Sequence, residues 1–158
     1  MCIRDRYYPD GRLKSQCDAD GNCVEFDHQI GANTEVITDR LGRVNTHVYD
    51  DRGNVLQTSI SDATGILSST TYEYYPGTDL EKFVTDDYGN VTARVYDDKE
   101  RIIIETTGAD PNEDPANPTV GQTTRSTYDG DDNLTRIESP DGTVTTFTYD
   151  PSTGALLS

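Results

Sequence analysis

The chain has no tryptophan, one methionine and three phenylalanines, and only 32% of its 158 residues are hydrophobic. Apolar burial is the main force that offsets chain entropy, so this composition excludes a large compact core. No apolar run approaches the roughly 20 residues that a membrane-spanning helix needs, which argues against membrane insertion by this segment. Lysine is scarce, with three copies, and 13 Lys and Arg stand against 29 Asp and Glu, a formal net charge of −16. Nucleic-acid binders need cations along phosphates, and anionic membrane surfaces attract the same charges. This chain repels both.

Metal and nucleophile chemistry are also poorly supplied. The three cysteines are Cys2, Cys17 and Cys23, and the two histidines, His28 and His47, stand apart. There is no second cysteine pair and hence no zinc-like spacing. Cys17 and Cys23 flank the turn-like Asp18-Ala19-Asp20-Gly21-Asn22. A disulfide across a hairpin and a pair of free thiols are both open readings, since connectivity is not written in sequence.

What is present is strand and turn chemistry. Threonine is the commonest residue, with 22 copies, joined by 10 Tyr and 21 Asp. Thr and Tyr suit pleated, half-buried strands, and Gly, Asn and Asp suit the turns between them. Low hydropathy and high charge also mark disorder, but the spacing of these residues is too regular for that.

Three segments align without gaps: Leu41 to Asp50, Tyr88 to Asp97 and Asp141 to Asp150. Each has Gly, seven residues, then Asp, with Tyr before the Asp. The anchors are Gly42, Tyr49 and Asp50, then Gly89, Tyr96 and Asp97, then Gly142, Tyr149 and Asp150. A shorter relative runs from Gly21 to Phe26-Asp27. A second half follows the Tyr-Asp: Asp51-Arg52-Gly53-Asn54-Val55-Leu56 after Asp50, and Gly130-Asp131-Asp132-Asn133-Leu134 after Tyr128-Asp129. The turn after Asp97 lacks the Gly. The residues following each aromatic are Pro9, Asp27, Asp50, Pro76, Asp97, Asp129 and Asp150, at intervals of 18, 23, 26, 21, 32 and 21. The longest interval holds an inserted, proline- and acid-rich surface loop at about 109–122.

Within a unit, Val91, Ala93 and Val95 alternate with Thr92, Arg94 and Tyr96, the period of a strand. Val44 and Val48 continue the apolar face. Asp50 can bond downstream amides and close a turn, and Gly53-Asn54 tolerates positive φ. The fold class expected is all-β, made of consecutive antiparallel hairpins. Strands are expected near 43–49, 54–60, 68–75, 80–85, 90–96, 101–107, 123–128, 133–138 and 143–149.

The Gly-x(7)-Asp core with its Tyr-Asp end, followed by x-x-Gly-Asn/Arg-Val/Leu, resembles the YD repeats of Rhs proteins. Related repeats occur in wall-associated contact toxins, the C component of insecticidal toxin complexes, and teneurins. The resemblance covers residues 7–158. It implies a curved strip of hairpins that spirals into a hollow shell around a C-terminal toxic domain. The implied partners are other YD repeats of the same chain and that enclosed domain. The implied location is secreted or on the cell surface. By the same resemblance the segment inherits a scaffold role and no catalysis, cofactor or metal.

Residues 1–6, Met1-Cys2-Ile3-Arg4-Asp5-Arg6, lack a signal-peptide pattern and resemble translated adapter sequence from library preparation. They are expected to belong to no repeat and to make no specific contacts. The remainder is read as a piece of a longer reading frame.

Other constellations weigh less. Asp18–Asn22 and Asp129–Asn133 look like calcium loops but lack the distal Glu. Asp86-Asp87 is one carboxylate pair among many. His28 and His47 lack a Ser or Cys partner in the same motif. The Asp-Pro bonds at 110–111, 114–115 and 150–151 read as loop and turn. The tyrosine row could stack on sugar rings, and a carbohydrate-binding or adhesive surface array is the alternative function.

Overall fold

A computed structural model describes residues 4–158. The described residues form two compact units, the first ending at Tyr72 and the second spanning Glu73–Ser158. The first holds β1 (Arg4–Tyr7), β2 (Leu13–Cys17), β3 (Cys23–Gln29), β4 (Thr34–Thr38), β5 (Val44–Tyr49), β6 (Val55–Asp62) and most of β7 (Gly65–Tyr74). The second holds β8 (Glu81–Thr85), β9 (Val91–Tyr96), β10 (Ile102–Thr107), β11 (Gln122–Tyr128), β12 (Leu134–Glu138) and β13 (Val144–Thr146). In each unit every strand pairs antiparallel with its neighbours in the chain, and strand order is chain order. Neither unit closes its first strand onto its last. The only helical element among the described residues is one 3-10 turn, Ile30–Ala32.

The expected strands from β5 to β12 all form, with bounds within one or two residues except for β7, which starts three residues before the expected 68, because alternation and turn residues mark them. The last is shorter than expected: β13 stops at Thr146, and Tyr149 is held by an isolated bridge to Leu156. Four strands before residue 43 were not among those expected.

The expectation that residues 1–6 make no specific contacts fails for those described. Arg4, Asp5 and Arg6 pair with Cys17, Gln16 and Ser15. The Gln16 amide donates to the Asp5 carboxylate over 3.2 Å. Any sequence in extended conformation can satisfy its backbone on an open sheet edge. Met1–Ile3 lie outside the described residues.

Buried apolar groups are few and concentrated in the second unit. Phe83, Val91 and Ala93 form a cluster with exposures of 3%, 7% and 1%. Ala93 pairs with Phe83 on one side and Thr106 on the other. The face that alternation assigned to Val91 and Ala93 is thus the buried one. Arg94, on the alternate face, pairs with Glu81 and with Glu105.

The loop at 109–122 is more than a surface excursion. Ala109 packs on the Phe83 cluster, its N–H donates to the Val91 carbonyl over 3.0 Å, and Pro115 is buried. Thr119 donates through its amide and hydroxyl to the Glu113 carboxylate, bracing the loop internally. A thin sheet with one apolar patch gains by covering it, and the insertion provides the cover.

Candidate functional site

The repeated structural feature is a turn. Asp50 N–H donates to the Asn54 carbonyl over 2.8 Å, and Gly53 N–H donates back to the Asp50 carbonyl over 3.1 Å. The Asp50 carboxylate accepts from the amides of Arg52 and Asn54 at 2.9 and 2.8 Å. Gly53 sits at φ +92°. This is the three-residue hairpin connection, in which the last loop residue must be left-handed.

The same pattern recurs at Asp18, Asp39, Asp86, Asp97 and Asp129, with Gly21, Gly42, Gly89, Glu100 and Asp132 in the left-handed place. Ser139 and Gly142 form a variant of it. Asp150 closes a longer turn, accepting from the Ser152 amide and hydroxyl and the Thr153 amide. Those bonds, the Ser152 hydroxyl foremost, hold its carboxyl down at about 2. The Asp97 carboxyl is lowered chiefly by the Arg101 guanidinium, and those of Asp86 and Asp129 by the Asn90 and Asn133 side chains.

The sequence anchors therefore do not converge on one site. Successive turns fall on opposite sheet edges. In the first unit, Tyr49, Asp50 and Gly53 lie at one edge and Gly42 at the other. In the second, Tyr96, Asp97, Tyr128, Asp129, Tyr149 and Asp150 share one edge, with Gly89 and Gly142 opposite. Asp18, Asp39 and Asp86 are equivalent closers that follow Cys17, Thr38 and Thr85 and so fall outside the Tyr-Asp pattern. The spacing Asp-x-x-Gly, present at each, could have found them.

Two positions shift by one residue. Tyr8 and Tyr75, not Pro9 and Pro76, occupy the turn-closing place: Tyr8 N–H donates to Arg12 O and Tyr75 N–H to Leu80 O. The prolines take the next position, where their fixed φ suits a turn and their missing N–H costs nothing.

Tyr49, Tyr96 and Tyr128 each end a strand. Opposite each, the return strand carries one extra residue: Leu56, Ile103 and Thr135 respectively. Lys14 does the same opposite Tyr7. These are bulges, which bend a strand and raise its twist.

The tyrosines also reach across hairpins. Tyr128 Oη donates to the Ile102 carbonyl over 3.2 Å and Tyr149 Oη to the Leu134 carbonyl over 2.9 Å. Ile102 and Leu134 are the partners of Tyr96 and Tyr128, so each tyrosine holds the preceding hairpin. Arg101 stacks 4.4 Å from the Tyr128 ring centroid and pairs with Asp97 and Asp132. Lys99 pairs with the same Asp132. On the opposite edge of the first unit, Arg40 bridges to Asp18 over 3.3 Å.

His28 lies between Tyr8 and Phe26, with Nε2 2.8 Å from the Leu13 carbonyl and Nδ1 3.2 Å from Glu35. His47 stacks on Tyr49. The carboxylates of Asp18 and Asp129 are engaged by their own turn amides and by Asn22 and Asn133. Among the described residues, no three His, Cys, Asp or Glu side chains are grouped to hold a metal ion. No helix of the described residues is long and apolar enough to cross a membrane.

The arrangement defines a class: all-β strips of hairpins whose turns are closed by aspartate and tied to one another by tyrosine. The RHS Repeat family model matches residues 128–156, which hold Tyr128-Asp129 through Tyr149-Asp150. This match, with the recurring Tyr-Asp turns, supports a YD/Rhs-type repeat segment. Its fold is similar to that of a solved Tc holotoxin pore of Photorhabdus luminescens carrying a TccC3 variant, with a TM-score of 0.56 at 17% identity. It is equally similar to the TcdB2-TccC3 structure lacking its hypervariable C-terminal region, with a TM-score of 0.56. A TcdB2-TccC3-Cdc42 structure gives 0.55. Each match covers 98% of this chain and 10% of the other, so the chain spans about a tenth of the length of these structures. No curated protein matches.

Proposed function

We propose that this segment is part of the wall of a bacterial Rhs-type shell that encloses and delivers a toxic C-terminal domain. The observation that carries the scaffold role is the tyrosine link between successive hairpins, Tyr128 to Ile102 and Tyr149 to Leu134. In both cases it joins a hairpin to the one before, and Tyr8 and Tyr75 bond forward to the Phe26 and Arg94 carbonyls, so neighbouring hairpins are tied as a wall requires. The anchors Gly42, Tyr49, Asp50, Gly53, Gly89, Tyr96, Asp97, Tyr128, Asp129, Gly142, Tyr149 and Asp150 then act as structural parts. Their replaceability supports this role: Glu100 and Asp132 stand where Gly stands elsewhere. The partners are further repeats of a longer chain and the enclosed domain, and the location is outside the producing cell or on its surface.

Limited proteolysis of the complete reading frame tests the proposal. The segment following the repeats should resist protease while the wall is intact and be digested once it is opened. Immediate digestion of that segment in the intact protein would refute enclosure.

A further inference from the structure

The two units differ in what holds them. The second has the Phe83–Val91–Ala93 cluster under its loop. In the first, the residues classed as buried among those described are Ser15 and Cys17, both on one face of β2. A small, core-poor unit is the kind that cross-links stabilise most. Cys17 ends β2, Cys23 begins β3, and they are direct antiparallel partners joined as a disulfide, their Cα atoms 4.0 Å apart.

The turn between them is complete without the bond. Asp18 N–H donates to Asn22 O over 3.0 Å, and the Asp18 carboxylate accepts from the amides of Asp20 and Asn22 at 3.0 Å each. Arg40 bridges to Asp18 from the next turn on that edge. The register therefore places the two sulfurs together, and oxidation follows folding of the hairpin.

We propose that Cys17–Cys23 is a redox-sensitive lock on the first unit, closed in oxidising surroundings and opened by a dithiol reductant. In closing, the two thiols give two electrons and two protons to an acceptor disulfide, which becomes a dithiol. In opening, a reductant thiolate attacks one sulfur, and the other leaves as thiolate. The second reductant thiol then resolves the mixed disulfide, leaving two cysteine thiols and a cyclic disulfide. The turn persists, and β2–β3 loses its covalent tie where apolar burial is least.

The test uses the full chain purified without reductant. Alkylation in denaturant followed by peptide mass spectrometry should leave Cys17 and Cys23 unlabelled, with both labelled only after prior reduction. Amide hydrogen exchange should then speed up by about tenfold or more across residues 13–29 on adding dithiothreitol, with residues 81–107 unchanged. The Cys17→Ser, Cys23→Ser double variant should show no response to dithiothreitol. Labelling of Cys17 and Cys23 without reduction would overturn the proposal. So would exchange across 13–29 that reduction leaves unchanged.

Discussion

The Tyr128 hydroxyl hydrogen-bonds the carbonyl of Ile102, 26 residues earlier, across 3.2 Å. Ile102 is the residue opposite Tyr96, so the bond fastens one Tyr-Asp hairpin to its predecessor. Tyr128→Phe keeps the ring under Arg101 and removes only the donor. It should lower stability by about 0.5–1.5 kcal/mol, the net worth of one hydrogen bond. Urea unfolding of both proteins measures it, and equal midpoints would deny the bond its role.

Asp50 closes its turn by accepting from the backbone amides of Arg52 and Asn54 and from the Asn54 side-chain amide. Asp50→Ala should cost about 0.5–2 kcal/mol if such turn caps match helix N-caps in strength. Thermal unfolding monitored by far-ultraviolet dichroism gives the value.

Glu100 occupies the left-handed place at φ +63°, where equivalent turns use Gly. A side chain there costs roughly 1–2 kcal/mol, part of which glycine's extra unfolded-state freedom returns. Glu100→Gly should raise stability by about 0.5–1 kcal/mol. Gly121 presents the reverse case. It has φ +90°, and a Cβ there would lie 2.6 Å from the Thr107 carbonyl oxygen. Gly121→Ala should destabilise by about 2 kcal/mol or more, because backbone must move where the loop rejoins β11. Parallel melting curves of the two variants should shift in opposite directions.

Acid should weaken the turns in a defined window. The carboxyls of Asp86, Asp97 and Asp129 lie below the ordinary 3.8, and that of Asp150 at about 2. A depressed carboxyl contributes stability that is full above its unfolded value and lost as pH falls through its folded value. Asp150→Asn should therefore melt below the parent protein at pH 7, and the difference should shrink steadily below about pH 4 and be mostly gone at about pH 2. Melting temperatures across pH 2–7 check the sign; a constant difference would contradict it.

Much of this fold is legible in the sequence because each strand announces itself twice. Val91-Thr92-Ala93-Arg94-Val95-Tyr96 alternates, and an Asp-x-x-Gly turn precedes it. The bulges are not legible, since Ile103 sits in a run of three isoleucines that fits a straight strand equally well. The one-residue phase error at Pro9 and Pro76 arose because Tyr-Pro imitates Tyr-Asp in spacing while its hydrogen bonds start one residue earlier. Pro115 reads as loop punctuation, and nothing in its local sequence marks it as buried. The Cys17–Cys23 bond required the register, which no pair of cysteines reveals alone.

Electron cryomicroscopy of the complete reading frame tests the shell reading most directly. The account predicts a hollow particle whose wall is a strip of antiparallel hairpins, with density for a polypeptide inside. An extended solid rod with no enclosed volume would contradict it and favour the adhesive surface array.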